Sequence, residues 1–452
     1  MLIANHIVIV GGGFSGTLLA VNLVRHGMAQ VSLIERDPTR MGRGLAYGAA
    51  QQDHVLNVRA ANMSAFPDEP NHFSTWLEAR GLGGRQCFAT RQTYGAYMRD
   101  LLQDAKQRFG DRLRLIMGNA VDLALREPDG AALLTLADGT LIEADTAVLT
   151  PGNLPPHDLP PLASFRAPTY VRDPWSCDIA EGLASQDTVL LIGSGLTAID
   201  CALTLRARGF GGRVIALSRR GLMPHGHAET GHHPPLKTRP QATGSALIGL
   251  IRKRARHVGW RHAVDELRPF TQDIWRSADD KVRRRFLRHL RPFWDIHRHR
   301  LAPEVMARIH EMQANGSLLT LAGKISDAQA HDAGIAVQWR PRGQQDVERL
   351  IVRRAINCTG PLGDLTRTCN PLLRQLHDDG LIRPDALAIG IDVDREGRTI
   401  NAQDQPNKRL FVAGPMTRGA HWEIVAVPDI RRQTWSLARY LTASHWVSGE
   451  GL

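Results

Sequence analysis

The chain has 452 residues, more than one ordinary hydrophobic core holds, so two or three domains are expected. Its 43% hydrophobic and 22% charged residues are typical of a soluble protein, and its formal net charge of +11 raises the question of an anionic partner. No apolar run approaches the ~18 residues of a membrane span, and the first strand begins too early for a signal peptide. We therefore expect a cytoplasmic protein without a membrane span.

The chain opens with a strand, a glycine-rich turn and a helix. An apolar strand, His6–Val10, runs into Gly11-Gly12-Gly13-Phe14-Ser15-Gly16, and an apolar helix over residues 17–24 follows. In this first glycine motif, Gly-x-Gly-x-x-Gly, the first glycine allows a tight turn and the second lets a pyrophosphate approach the backbone. The third lets helix and strand pack closely. The helix N-terminus, at Phe14 and Ser15, offers N–H groups and a positive dipole end to phosphates.

A carboxylate lies at the end of the next strand, where a dinucleotide site of this kind requires one. A second apolar strand, residues 31–34, leads to Glu35 about 20 residues after the glycines, and this carboxylate can accept hydrogen bonds from ribose hydroxyls. With Arg36 beside it, Glu35 completes the expected binding set. The pattern predicts an adenine dinucleotide here; a glycine-rich turn in an unrelated α/β protein is the alternative.

A long glycine-rich segment, residues 41–67, comes before the next helix and contains Arg43, Tyr47 and Asn57. Loops of this length are usually functional. In a dinucleotide fold they lie near the mouth of the site, so the far end of the ligand is expected to pass here. A structural surface loop is the alternative.

The next predicted elements are two helices and three short alternating strands: helices over residues 71–80 and 91–109, and strands over residues 119–126, 131–136 and 141–143. The strands predict a small antiparallel layer, with Pro128-Asp129-Gly130 as its first turn. A buried strand over residues 146–150 ends at Gly152. The proline-rich residues 154–161 are the best linker candidate.

The opening design then recurs. The strand Thr188–Ile192 leads to Gly193-Ser194-Gly195-Leu196-Thr197-Ala198, the second glycine motif, and a helix over residues 199–208. This is the permitted Gly-x-Gly-x-x-Ala variant. The adjacent strand, residues 213–217, ends at Ser218-Arg219-Arg220 instead of a carboxylate. Because guanidinium groups grip a ribose 2′-phosphate that a carboxylate repels, NADPH is predicted in preference to NADH. Alternatively, the arginines are merely exposed and confer no preference.

A histidine-rich loop follows, with Pro224-His225-Gly226-His227 and, close behind, His232-His233. Its spacing matches no standard zinc motif, and no cysteine or carboxylate partner lies nearby. We therefore expect no metal, and a polar loop that borders the nicotinamide or the substrate.

A helical block over about residues 244–315 carries most of the basic excess. Within it Val282, Phe286 and Leu290 recur at helical spacing, which leaves the intervening arginines on the outer face. A solvated basic face is expected, and no nucleic-acid partner, because no recognised nucleic-acid motif accompanies the charge. Attraction of a phosphorylated cofactor or an acidic substrate remains open.

The C-terminal third resumes with strands over residues 318–321, 334–339 and 349–358. The last of these ends at Thr359-Gly360, as the earlier buried strand ends at Pro151-Gly152. A final strand, residues 409–413, runs into Gly414-Pro415 ahead of a long helix containing residues 430–441.

The cysteines, Cys87, Cys177, Cys201, Cys358 and Cys369, are odd in number and scattered, without a Cys-x-x-Cys pair. This argues against a disulfide framework, a zinc knuckle and a redox dithiol. Small buried residues in a reducing compartment are expected, with a reactive thiol as the alternative.

Two glycine motifs, the first with an acid and the second inside the chain, resemble the two-dinucleotide-domain flavoproteins. That family includes flavin-containing monooxygenases, lysine and ornithine N-hydroxylases and pyridine-nucleotide-disulfide reductases. Several stretches look more narrowly like poorly characterised bacterial FAD/NAD(P)-binding proteins: residues 42–48, 56–58, 193–197, 357–360, 414–415, 418–419 and 422–423. The resemblance covers essentially the whole chain.

The resemblance implies an α/β fold with two Rossmann-like domains. FAD would bind a discontinuous domain of residues 1–155 and 350–452, and NADPH an inserted domain of residues 160–345 that carries the helical block. Two departures matter. Pro415 replaces the acid that commonly follows glycine after the last FAD strand, and the disulfide-reductase dithiol is absent. The Baeyer–Villiger signature is also missing.

The implied chemistry is hydride transfer from NADPH to the flavin, since the protein's part is to bring the two rings together. A dry pocket with hydrogen-bond donors would then favour oxygen as acceptor and monooxygenation of a small nucleophilic substrate such as an amine. Without such a pocket, a reductase or dehydrogenase results. Two further hypotheses are a flavin oxidase, which would not need the second motif, and a non-catalytic FAD- and NADPH-binding regulator.

The residues expected near the flavin are Arg43, Tyr47, Asn57, Arg418, His421, Trp422 and Glu423. The residues expected to contact the cofactors beyond the two motifs are Gly152, Gly360, Gly414 and Pro415. Several have structural alternatives, since Trp422 suits a core, Glu423 the start of a helix and Asn57 a turn.

Overall fold

The computed structural model describes residues 4–49, 51–126, 130–228, 234 and 236–444. Its contacts divide the chain into two compact units. The first consists of Met1–Gln52, Val58–Leu154 and Leu362–Leu452, and the second of Asp53–Asn57 and Pro155–Pro361. The predicted turn residues Pro128 and Asp129, and His232 and His233 of the histidine loop, lie outside the described residues.

The strands are, in chain order, β1 His6–Val10, β2 Gln30–Glu35, β3 Leu113–Met117, β4 Ala120–Leu125, β5 Ala132–Leu136, β6 Leu141–Ala144, β7 Thr146–Leu149, β8 Tyr170–Val171, β9 Thr188–Ile192, β10 Arg213–Ser218, β11 Leu318–His331, β12 Gly334–Pro341, β13 Glu348–Val352, β14 Arg354–Asn357, β15 Arg398–Ile400 and β16 Pro406–Val412. The α-helices are α1 Phe14–His26, α2 Gly44–Gly48, α3 His72–Glu78, α4 Arg91–Phe109, α5 Leu196–Ala207, α6 Gly244–Val258, α7 Trp260–Asp265, α8 Thr271–Ser277, α9 Asp280–Arg285, α10 Arg291–Arg298, α11 Pro303–Ala314, α12 Pro371–Asp378 and α13 Val427–Leu441. None of them, over the residues that the structure describes, is both long and apolar enough to cross a bilayer.

The first unit is built on a six-stranded sheet in the order β15-β16-β7-β1-β2-β3. All neighbours are parallel except β15, which pairs antiparallel with β16. The register places the C-terminal ends of β1, β2 and β7 at one edge, so Gly11, Glu35 and Thr150 lie there together. A separate antiparallel sheet, β4-β5-β6, confirms the predicted small layer.

The second unit holds a seven-stranded sheet in the order β13-β12-β11-β10-β9-β14-β8. Strands β11, β10, β9, β14 and β8 are parallel, whereas β12 and β13 add an antiparallel ribbon. Helix α5 is buried from Ala198 to Leu205, which explains why its sequence is apolar all round. The predicted α/β class, with two parallel sheets and a helical block from α6 to α11, is confirmed.

The basic segment of this block is helical but not uniformly α-helical. After α9 the backbone forms a π-turn over Phe286–Leu290 before α10 begins. Arg284, Arg285 and Arg288 are exposed, while Val282 and Phe286 are half-buried. These three side chains face outward, as the helical spacing predicted, whereas Arg283 packs over the Trp275 ring and donates to the Trp275 carbonyl oxygen.

The expected strand over residues 349–358 is in fact two strands on opposite sides of their sheet. β13 pairs antiparallel with β12, whereas β14 pairs parallel with β9 and β8. Residues 350–361, expected in the first domain, consequently belong to the second unit. The break at Arg353 falls inside a continuous β-type sequence, so no turn residue marks it. The elements β3, β8, β15, α2 and α12 were not predicted either.

Arg354, the first residue of β14, ties two loops to this strand. Its guanidinium is buried and donates hydrogen bonds to the carbonyl oxygens of Pro168 (2.6 Å), Ile179 (2.6 Å) and Glu181 (2.7 Å). We expect Arg354→Met to lower the free energy of unfolding by roughly 3 kcal/mol, because three carbonyls lose a charge-assisted donor in the interior. Arg353→Met, at the exposed neighbouring position, is the matched control. Denaturant unfolding measures both, and equal stability of the two variants would contradict this role.

Candidate functional site: two glycine turns

The first glycine motif forms a closed turn between β1, β7 and α1. Gly11 has a φ of +111°, and a side chain there would collide with the carbonyl oxygen of Thr150. The Thr150 hydroxyl donates to the carbonyl oxygens of Val10 (3.1 Å) and Gly11 (2.7 Å). A side chain at Gly16 would in turn collide with the carbonyl oxygen of Gly11. Gly11 and Gly16 thus have the turn and packing roles that the pattern predicted.

Gly13 differs from the expectation, because the space beside it is taken by protein. A Cβ atom at Gly13 would lie 3.2 Å from the Cα of Gly44, and one at Gly44 would lie 3.0 Å from the Cα of Gly13. The Gly42 amide also donates to the carbonyl oxygen of Gly12 over 2.8 Å. The glycines at 42 and 44 therefore let the following segment lie against the motif. Contact of Gly13 with a pyrophosphate stays a prediction.

Glu35 is held in place by backbone amides at the end of β2. Its Oε2 accepts from the Gly12 amide (2.9 Å), and its Oε1 accepts from the amides of Arg36 (3.0 Å) and Asp37 (3.1 Å). The side chain is half-buried. Carboxylate oxygens have two lone pairs each, so this arrangement leaves acceptor capacity for ribose hydroxyls.

A turn from the C-terminal segment closes over the start of α1. Gly414, with a φ of +90°, packs so tightly that a Cβ atom there would lie 2.5 Å from the Ser15 hydroxyl oxygen. The Gly414 amide donates to Gln433 Oε1 (2.7 Å), and Gln433 Nε2 donates to Thr417 Oγ1 (3.0 Å). Pro415 is buried and starts this turn. Sequence reasoning missed Gln433, which no local motif marks.

An aromatic cluster, also missed from the sequence, supports the other side of α1. Ring centroids are 5.6 Å apart for Phe14 and Tyr47, 4.8 Å for Tyr47 and Tyr94, and 5.5 Å for Tyr94 and Tyr97. The Tyr97 hydroxyl hydrogen-bonds His72 Nδ1 over 2.8 Å. Burial raises the pKa of Tyr47, so its phenol is neutral at physiological pH.

The second glycine motif resembles the first motif at its first glycine, Gly193, whereas no atom of the described residues fills the space around its second glycine, Gly195. Gly193 has a φ of +122°, and a Cβ atom there would lie 2.5 Å from the carbonyl oxygen of Cys358. Around Gly195, in contrast, no protein atom lies within 4 Å of an added Cβ. Gly195 is exposed and precedes α5, whose N-terminus is capped by no side chain. This is space that a phosphate could enter to meet the helix N–H groups.

The residues that end β10 have different roles. The Ser218 hydroxyl accepts from Ser194 Oγ (2.8 Å) and from the Gly221 amide (3.0 Å), so it stabilises the turn. The Arg220 guanidinium stacks over the Phe293 ring at 4.9 Å. Arg219 is exposed and forms no ion pair with any residue in the described ranges. Of the predicted pair, Arg219 is therefore the one available to a 2′-phosphate.

The described part of the histidine loop packs against the helical block through His225. The His225 ring lies 4.9 Å from that of Trp260 and 4.8 Å from that of His297. His227 Nε2 hydrogen-bonds the carbonyl oxygen of Asn57 over 3.0 Å. Among the described residues no three His, Cys, Asp or Glu side chains cluster as a metal site would require.

Comparison with known proteins shows which sequences and solved structures this chain resembles. Residues 8–154 match the FAD-NAD(P)-binding family. The chain shares its fold with solved amine monooxygenases of low sequence identity. Among solved structures it resembles the FAD-bound cadaverine monooxygenase of desferrioxamine biosynthesis from Erwinia amylovora (14% identity, 98% of this chain and 95% of that one, TM-score 0.69). It also resembles L-lysine 6-monooxygenase from Pseudomonas syringae (18%, 98% and 99%, 0.65) and a Kutzneria ornithine N-hydroxylase with reduced FAD, NADP+ and L-ornithine (15%, 97% and 99%, 0.62). No curated protein matches by sequence.

The candidate catalytic residues are divided between the two units. Asn57 belongs to the second unit, and the other six belong to the first: Arg43, Tyr47, Arg418, His421, Trp422 and Glu423. Tyr47, Trp422 and Glu423 are buried, whereas the remainder are half-buried. Glu423 has a φ of +64°, a strained conformation for a non-glycine residue of the kind that gathers at functional sites. Contact of these residues with a flavin stays a prediction.

His225 makes the free energy of unfolding depend on pH in a way that can be tested. Burial, and then the neighbouring His297, Arg261 and Arg300, lower the pKa of His225 from its ordinary 6.5. Below about pH 6.5 the unfolded chain therefore binds a proton that the folded chain does not. We expect the free energy of unfolding to fall as the pH decreases through this window, and to fall less in His225→Phe, which keeps the ring packing against Trp260. Urea unfolding at a series of pH values measures this, and parallel profiles would contradict it.

Proposed function

We propose that the chain is an NADPH-dependent, FAD-containing monooxygenase that hydroxylates the nitrogen of a small primary amine. The observation that carries this proposal is the contrast between its two glycine motifs. The strand beside the first ends in the carboxylate of Glu35, and the strand beside the second ends in Ser218 and the exposed Arg219. A carboxylate suits an adenosine ribose, and a guanidinium suits a 2′-phosphate. The two sites therefore suit FAD and NADPH, respectively.

The surrounding residues fit these cofactors. In the first unit, the N–H groups at the start of α1 and the carboxylate of Glu35 would hold the pyrophosphate and ribose of FAD. In the second unit, the open space at Gly195 would admit the pyrophosphate of NADPH, and Arg219 would hold its 2′-phosphate. FAD held in the first unit would supply the redox chemistry, with NADPH as hydride donor and oxygen as electron acceptor.

The substrate class is argued from chemistry that the comparison proteins share. Ornithine, lysine and cadaverine, named for these proteins, all carry a primary amine at the end of a short aliphatic chain. The amine lone pair is a nucleophile that can accept an oxygen atom. A terminal aliphatic amine is therefore the substrate class that we propose, without a choice among its members.

The test uses FAD-loaded protein with NADPH, oxygen and each of these three amines in turn. NADPH loss, hydrogen peroxide and hydroxylamine product are measured in the same sample. We expect one amine to give hydroxylamine in proportion to the NADPH consumed. Recovery of all electrons as hydrogen peroxide with every amine would reject the monooxygenase and leave a reductase. Absence of NADPH consumption would favour the non-catalytic binder.

A further inference from the structure

Two buried cysteines meet beneath the second glycine motif. The Sγ atoms of Cys201 and Cys358 are 3.7 Å apart, and the Cys358 thiol donates a hydrogen bond to Cys201. Only 1% of Cys201 and 5% of Cys358 is exposed. Sequence spacing argued against a redox dithiol, because these residues are 157 positions apart. Helix packing against the sheet brings the two free thiols together, a proximity that the sequence spacing could not indicate.

The pair joins two parts of the nucleotide turn. Cys201 lies in the second turn of α5, the helix that begins directly after Gly195. Cys358 follows β14, its amide donates to the carbonyl oxygen of Ile192 (3.0 Å), and its own carbonyl oxygen packs against Gly193. A covalent link between the two sulfur atoms would therefore act on the end of β9 and on α5 at once.

We propose that Cys201 and Cys358 form a peroxide-responsive thiol pair whose oxidation to a disulfide weakens nucleotide binding at the second glycine motif. Cys358 is the residue that reacts first, since Thr359 beside it is exposed and Gly360 has open space around it. Its thiolate attacks one oxygen of hydrogen peroxide, the O–O bond breaks, and a sulfenic acid and hydroxide form. The Cys201 sulfur then displaces the sulfenic oxygen as water. Two thiols lose two electrons and two protons, and the peroxide becomes two molecules of water.

The distance between the two sulfur atoms explains why the disulfide would weaken nucleotide binding. A disulfide requires a sulfur–sulfur distance of about 2.0 Å, so the two atoms must approach by about 1.7 Å. Close packing leaves little room for this approach without a shift of α5 relative to Gly193. That shift moves the N–H groups of Leu196 and Thr197, and the loss of one such contact to a phosphate weakens binding by about tenfold.

The surroundings of Cys201 affect the second step, in which the disulfide forms. The adjacent Cys358 thiol and burial raise the pKa of Cys201 well above its ordinary value. The Cys201 thiol is therefore protonated at neutral pH, and we expect its attack on the sulfenic acid of Cys358 to accelerate as the pH rises. Reduction by a small dithiol should restore both thiols.

The test treats the FAD-loaded protein with hydrogen peroxide, alkylates the remaining thiols and maps the peptides by mass spectrometry. A Cys201–Cys358 disulfide is expected, with loss of two hydrogens from the intact mass. NADP+ affinity is measured before oxidation, after it and after dithiothreitol. We expect a decrease of about tenfold that dithiothreitol reverses. Cys177→Ala, at an exposed position outside the pair, should behave like the parent. Cys358→Ala should keep its NADP+ affinity under peroxide. If this variant does not fold, Cys201→Ser is tested in its place.

Three results would overturn the proposal. The pair could stay reduced while exposed cysteines oxidise, or it could pass to sulfinic acid without a disulfide. The disulfide could also form and leave NADP+ affinity unchanged. The nucleotide measurement rests on the proposed NADPH site, whereas the peptide map does not. If the untreated protein binds no NADP+, the proposed function fails and the claimed effect on binding falls with it, while the map still decides the thiol chemistry.

Discussion

Gly195→Ala is expected to leave the fold intact and to weaken NADP+ binding by roughly 10- to 100-fold, the effect of one or more lost charge-assisted hydrogen bonds. The residue has a φ of −83°, which alanine adopts readily, and its added Cβ atom meets no protein atom within 4 Å. The same atom would occupy the space through which a pyrophosphate reaches the start of α5. Calorimetric titration with NADP+, flavin content and thermal unfolding should be measured on one preparation.

Gly193→Ala is the matched control for this experiment. Its φ of +122° and the 2.5 Å approach of the added Cβ atom to the carbonyl oxygen of Cys358 predict a less stable protein. Comparison of the two variants thus distinguishes a glycine that the fold requires, Gly193, from a glycine that leaves space for a ligand, Gly195. Unchanged NADP+ affinity in a folded Gly195→Ala protein would contradict a nucleotide site at the second motif.

Arg219→Gln is expected to reduce the preference for NADP+ over NAD+ by about tenfold, the value of one solvent-weakened charge-assisted contact. The guanidinium is exposed at the end of β10, where a 2′-phosphate would lie if the nucleotide follows the glycine turn. NAD+ lacks this phosphate, so its affinity should not change. Competition titrations with the two oxidised nucleotides give both constants.

Arg220→Gln is the control for the neighbouring charge. Its guanidinium is already stacked on Phe293, so its removal should affect the NADP+ to NAD+ ratio less than removal of Arg219. Equal losses for NADP+ and NAD+ in Arg219→Gln would show that this residue does not distinguish the 2′-phosphate. A greater effect at Arg220 would reverse the assignment of the two arginines.

Much of the fold could be predicted because its strongest signals are local. The strands at His6–Val10 and Thr188–Ile192 have the predicted boundaries, since each is an apolar run stopped by a glycine that needs a positive φ. β3 was missed although four of its five residues are apolar, because so short a run shortly after α4 has no clear period of its own. β13 and β14 appeared as one strand, because the break between them is the single residue Arg353, neither glycine nor proline, and both strands run in the same direction.

The parts of the candidate site that could not be predicted depend on contacts between residues far apart in the sequence. Gly13 faces Gly44, and Gly414 meets Ser15 and Gln433, across separations that no motif encodes. Arg219 and Arg220 look equivalent in the sequence, and only the packing of α10 distinguishes them. The glycine motifs identify where a dinucleotide could bind. The side chains that complete each turn come from elements whose arrangement depends on the whole fold.

An anaerobic titration of the FAD-loaded protein with NADPH tests most directly whether one chain binds both cofactors and transfers hydride between them. We predict that the visible absorbance of the flavin bleaches in proportion to the NADPH added, and that NADH at the same concentrations is less effective. A protein that takes up no FAD, or whose bound flavin stays oxidised in excess NADPH, would contradict this prediction.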